Sequence, residues 1–235
     1  MALNISIDVD GTRRFLTMPK RTKCNLMTVQ DWLDLADDPA IRDRMKSDPY
    51  SMAYRALLSH FSGVQKMTWY AAILGLHVVY GWMPTIPKLG QIMQWNKARQ
   101  RQLTSALTKA TLGYVPTDED LRTLKTFCNN SMIGASKLLH LLSPKTFPIW
   151  DSRVAKVFLN NRKVGAQQVN AVEAWKRYQA TLTAWLAKQQ VKRKCRELRK
   201  LAWFLAGVSD LRLLELVLFH TTKSKRKTRR NLTHA

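Results

Sequence analysis

From Thr28 to Phe219 the apolar residues recur at spacings of three and four. That is the period of a helix face and not of a pleated strand, so a chain of this kind buries itself as helix packed on helix. Only residues 4–18, NISIDVDGTRRFLTM, alternate apolar with polar, around Asp10-Gly11, and they read as a small N-terminal β-hairpin. Thr28 is placed to cap a first helix over VQDWLDLADD. Further helices are expected over YSMAYRALLSHF, over Val64–Trp82 and, after the proline loop MPTIPKLG, over Gln91–Leu112. Pro116, Thr117 and three acids open another, and the pattern continues over Gln167–Gln190, Val191–Leu205 and Asp210–Phe219. The fold class expected is all-α, mainly helical with that one hairpin. A single domain would span 1–222, and 223–235 would form a basic, solvated tail.

The charge narrows the partners. The 235 residues carry 39 Lys+Arg against 16 Asp+Glu, a net +23, with 46% hydrophobic residues to close a core. So large an excess suits a polyanion, because basic side chains gain by displacing the counterions of phosphates. Nucleic acid is the first candidate and an anionic membrane the second. The most apolar run, Trp69–Met83, is broken by Gly75, His77 and Gly81 and falls short of the roughly 20 residues a membrane span needs, so no membrane partner is expected. Cys24, Cys128 and Cys195 stand far apart with no C-x-x-C pair, which argues against a zinc site, a metal cluster or a disulfide framework. We expect no cofactor and no metal. With no signal peptide evident, the expected setting is cytoplasmic, nucleoid-associated and monomeric.

Residues 131–158, SMIGASKLLHLLSPKTFPIWDSRVAKVF, combine an early glycine, an apolar run, a proline-flanked loop and a lone carboxylate. Gly134 sits where one helix could end and the next begin, and amides freed at a helix N-terminus bind phosphate. Asp151 opens DSRVAKVF, where it has two readings. It is a helix cap, worth about 1 kcal/mol, or it is an ionised carboxylate kept dry by Trp150 and able to stabilise an oxocarbenium-like sugar.

This order resembles the helix-hairpin-helix DNA glycosylases that carry a Gly/Pro…Asp motif. The matching residues are Ile133-Gly134 for the hairpin and Pro148-Ile149-Trp150-Asp151-Ser152-Arg153-Val154 for the aspartate loop. The likeness covers about 28 residues closely and the rest only in helical character. Met132 stands where the family has a first glycine, and the hairpin-to-aspartate spacing is several residues shorter. The resemblance implies a two-lobed helical fold with DNA across its cleft, a flipped base, and Asp151 as the catalytic carboxylate cutting the N-glycosidic bond. It implies backbone contacts from Ile133, Gly134, Ser136, Lys137 and Arg153.

Bifunctional members place a lysine two residues past the last glycine. Ser136 stands there, and Lys137 lies one residue on, rotated by about 100° on a helix. A monofunctional enzyme that leaves an abasic site is therefore expected, with Lys137 a phosphate contact and a subsidiary catalytic candidate. Tyr80, Trp82, Trp150 and His140 are the candidates for the base pocket, chosen over Trp69, Tyr70 and Trp95. The likeness to divergent bacterial members extends the expectation to modified bases of phage DNA, glucosylated hydroxymethylcytosine among them, in antiviral defence. The alternative is a non-enzymatic architectural or regulatory DNA-binding protein in which Asp151 is only a cap.

Overall fold

The computed structural model describes residues 6–7, 13–14, 26–83, 85–160 and 164–221. Ser6–Ile7 (β1) pairs antiparallel with Arg13–Arg14 (β2), Ser6 opposite Arg14. The rest of the hairpin, Cys24 and the tail 223–235 lie outside the described residues. Everything else with regular structure is helical, as the three- and four-residue spacing requires.

Thirteen α-helices follow among the described residues: α1 Val29–Asp37, α2 Pro39–Lys46, α3 Pro49–Phe61, α4 Trp69–Gly81, α5 Leu89–Met93, α6 Lys97–Thr111 and α7 Asp118–Phe127, then α8 Met132–Leu142, α9 Ser152–Phe158, α10 Ala166–Val169, α11 Val172–Leu186, α12 Gln189–Arg199 and α13 Asp210–Thr221. Their starts follow local chemistry. Thr28 and Thr117 each form a reciprocal capping box, with Asp31 and Asp120. Asp38 and Asp48 cap helices whose first residue is proline, which lacks only an N–H the helix could not have used.

Two long helices expected from periodicity are interrupted. Asn96 accepts the Arg99 amide at 2.9 Å and so starts α6 afresh after α5. The stretch over Gln167–Gln190 divides into α10 and α11, parted at Asn170. Apolar spacing reports the buried face but does not register a break inside it.

The helices gather around two centres. α8 packs against α3, α4, α6 and α7, whereas α13 packs against α1, α2, α9, α11 and α12. The first two helices thus return to the last one, and Trp32 of α1 donates its indole N–H to the Leu214 carbonyl at 3.1 Å. α13 is buried along nearly all its length, including its polar residues Arg212, Glu215 and His220. One continuous core joins both groups.

Candidate functional site

The turn that begins the site is Asn129-Asn130, and no glycine takes part in it. Both asparagines adopt positive φ, 54° and 56°, which asparagine tolerates better than other residues with a side chain. Asn129 also ties down the proline loop before α5, accepting the Lys88 amide at 3.0 Å and donating to the Ile86 carbonyl at 3.2 Å. Ser131 then caps α8 through the Gly134 amide at 3.2 Å, and Asn170 takes the Met132 amide at 3.0 Å.

Here the reading of Gly134 is corrected. It lies inside the first turn of α8 and is buried, and its amide is already bonded, so it is neither the hairpin turn nor a phosphate contact. A Cβ at Gly134 would stand 3.1 Å from that of Cys128, so the position is crowded against any side chain. Ser136 is corrected as well. It is fully buried, accepts the Trp150 amide at 2.9 Å and donates to the Ile133 carbonyl at 2.9 Å, so it anchors the next loop and presents nothing to the surface.

Loop 143–150 is held residue by residue. His140 contacts the Phe147 carbonyl through Nδ1 at 2.6 Å. A carbonyl only accepts, so Nδ1 carries the proton, and Nε2 accepts from the Tyr54 hydroxyl at 2.6 Å. Burial, reinforced by Arg212 and only partly opposed by the bond to Phe147, pushes the imidazole down to about 3 and keeps it neutral. Trp175 donates to the Pro148 carbonyl at 3.1 Å, and the Ile149 amide donates to Glu215 Oε1. Trp150 donates its indole N–H to the Val169 carbonyl at 2.7 Å and packs its ring against Tyr178, with centroids 4.9 Å apart. His140 and Trp150 are therefore core residues beneath the site and do not line its cavity, contrary to expectation.

The rigid loop delivers Asp151 to the head of α9. Its Oδ1 accepts the Arg153 amide at 2.8 Å, so the capping reading holds. Asp151 also lines an open cavity of about 710 Å³. That cavity lies between the two helix groups: Tyr80, Trp82, Ile133 and Lys137 face it from one side, and Asp151, Arg153, Arg212 and Phe219 from the other. Its volume falls within the usual range for small-molecule sites.

Each wall has its own chemistry. The Tyr80 hydroxyl is committed to the Cys128 carbonyl at 3.0 Å, and burial first, with Cys128 adding, pushes it up to about 12. Trp82 stacks on Tyr54, centroids 6.0 Å apart and planes 10° from parallel. Lys137 reaches the Trp82 carbonyl at 3.5 Å and lies 5.9 Å from the indole centroid. Burial pulls its ammonium down to about 8; Asp151 opposes that fall and Arg212 adds to it. With the turn at Asn129-Asn130, Lys137 faces the same space as Asp151, whereas counting from Gly134 predicts it rotated away.

Trp69 and Trp95 pack with Phe127 away from the cavity, and Tyr70 points to solvent. The basic clusters KARQRQ and VKRKCRELRK fall on α6 and α12, and neither lines the cavity. At the mouth stand Lys88, Arg153 and Ile86, the last 84% exposed.

Sequence reasoning missed Arg212, Glu215 and Asn129. An Arg and a Glu three apart within the apolar run DLRLLELVLF, and Asn-Asn just before a Ser cap, were the available signals.

Residues 85–222 match the profile of a family of unknown function, DUF6308. The chain belongs to that family. The DUF6308 segment contains Asn129, Lys137, Asp151 and Arg212, while Tyr80 and Trp82 come from the chain before it. No curated protein and no solved structure matches the chain. Among the described residues no helix is long and apolar enough to cross a membrane, and no group of His, Cys, Asp and Glu is arranged to hold a metal ion.

Proposed function

We propose that the protein is a DNA glycosylase with a two-lobed helix-hairpin-helix architecture. The observation that carries this reading is that Asp151, fixed at the head of α9, shares one cavity with Lys137 and an aromatic wall. A flipped nucleotide needs a recess with a stacking surface, and an oxocarbenium-like sugar needs a carboxylate that stays ionised beside it. A net charge of +23, with Lys88 and Arg153 at the mouth, favours a phosphate backbone drawn to that opening.

In the hydrolytic reaction the C1′–N bond breaks and its electron pair leaves with the base, which takes up a proton. Asp151 stabilises the cationic sugar and orients the water whose oxygen bonds to C1′, leaving an abasic site. The cavity has room for an enlarged base, so the proposed substrates include modified phage cytosines such as glucosylated hydroxymethylcytosine.

A covalent route is favoured by Lys137. An amine at about 8 has a usable neutral fraction near neutral pH and can attack C1′ itself. Its nitrogen bonds to that carbon as the C1′–N bond breaks, and the base leaves with the electron pair and the proton the amine gives up. Borohydride reduction distinguishes the two: a trapped protein–DNA adduct that disappears in Lys137→Met establishes the covalent route.

The test of the reading as a whole is mass spectrometry of bases released from modified and unmodified DNA, with wild type beside Asp151→Asn. Release by wild type alone is expected. No release from any DNA, with the protein folded and bound, returns the protein to the class of non-enzymatic DNA binders.

A further inference from the structure

Arg212 is 7% exposed, yet it lines the cavity. Its Nη1 donates to Glu215 Oε2 at 3.0 Å. The other oxygen of Glu215 accepts the Ile149 amide, and the guanidinium meets this carboxylate through Nη1 alone. Arg212 Nε is buried without any hydrogen-bond partner, and Nη2 has none among the described residues. The planar group is held between contacts, 5.4 Å from the Tyr54 ring centroid and 5.9 Å from that of Trp82. Trp82 also keeps a buried indole N–H that finds no acceptor.

Buried donors left unpaired are rare in folded proteins and costly. Two of them meet on side chains that line one cavity, and each lacks an acceptor. We propose that Arg212 is the specificity-determining residue of this cavity, and that its uncommitted edge selects a base presenting two adjacent hydrogen-bond acceptors. This deepens the glycosylase reading and rests on it.

The chemistry narrows the guest. A guanidinium edge with two parallel N–H groups matches guanine O6/N7, the pair arginine reads most often, and equally cytosine N3/O2. Adenine sets an amino group beside N7, and thymine sets an N–H between its two carbonyls. Each puts a donor against a donor, which a fixed guanidinium cannot accommodate. Glu215 on one side and the Tyr54–Trp82 stack on the other deny Arg212 the freedom to turn away.

The experiment is fluorescence anisotropy with four duplexes, each presenting cytosine, guanine, thymine or adenine opposite an abasic-site analogue so that extrusion is easy. A fifth duplex, abasic on both strands, measures the backbone contribution alone. At about 0.2 M salt, where phosphate binding is weakened, wild type is expected to bind the cytosine or the guanine duplex at least about fivefold more tightly than the thymine and adenine duplexes. Arg212→Lys keeps the charge but loses the fork, and is expected to bind all four alike with the fifth unchanged. The paired variant Arg212→Met with Glu215→Gln removes both charges together and is expected to do the same. Equal binding of the four by wild type, or a preference that survives in Arg212→Lys, overturns the proposal while leaving base release to its own test. Failure to bind any duplex overturns both.

Discussion

Lys137 offers the most direct measure of how dry the cavity is. Its ordinary value of 10.5 is pulled down to about 8, chiefly by burial. Each unit is worth about 1.4 kcal/mol, so the buried ammonium costs the fold about 3.4 kcal/mol when protonated in both states. The folded form releases its proton first. From pH 8 up to 10.5 the unfolded chain binds more protons, so stability rises with pH across that window. Between pH 7 and pH 10 the single group is worth about 2.5 kcal/mol. In Lys137→Met the ammonium is gone, and the variant should be the more stable protein at pH 7. Urea denaturation of both proteins at intervals from pH 7 to pH 10 reads the difference free of every other titration. The gap should close by about 2.5 kcal/mol over that range. A gap that stays constant would mean that the ammonium remains hydrated, and the case for a neutral amine beside Asp151 would go with it.

Three further substitutions test the site's frame. Asp151→Asn keeps a good capping residue, so denaturation should show stability within about 0.5 kcal/mol of wild type while base release is lost. Gly134→Ala sets a Cβ 3.1 Å from that of Cys128, and although alanine favours helix, the crowding should leave a net loss of about 1 kcal/mol by urea denaturation. Asn129→Ala forces a positive φ on alanine and severs the bonds to Lys88 and Ile86; it should cost about 2 kcal/mol, with Asn129→Gly recovering only the backbone share.

How much of this is written in the sequence differs from element to element. The helical class is plain, because nearly every segment shows its buried stripe at three- and four-residue spacing. Helix starts with a Thr or Asp cap are legible too, as at Thr28 and Thr117. Asp151 stands out as a lone acid after a proline loop, and the cavity does include it. Gly134 misled, since glycine serves both turns and close packing, and only coordinates distinguish a backbone that must bend from one that must approach Cys128. The direction of Lys137 is hidden for the same reason, since it depends on whether the turn lies at Gly134 or at Asn129-Asn130. Arg212 lay hidden because one charge in an apolar helix reads as an exposed edge, and its burial depends on Glu215, Tyr54 and Trp82, which are distant in the chain or unremarkable beside it.

α13 comes late in the sequence yet occupies the middle of its helix group, and it carries Arg212 and Phe219 to the cavity wall. During synthesis α1 and α2 emerge long before the helix they must embrace, and they wait through some 160 residues of intervening chain. The pocket cannot assemble on a nascent polypeptide until translation has passed Thr221. A chain broken off before α13 lacks Arg212 and Phe219, and with them part of one wall of the cavity.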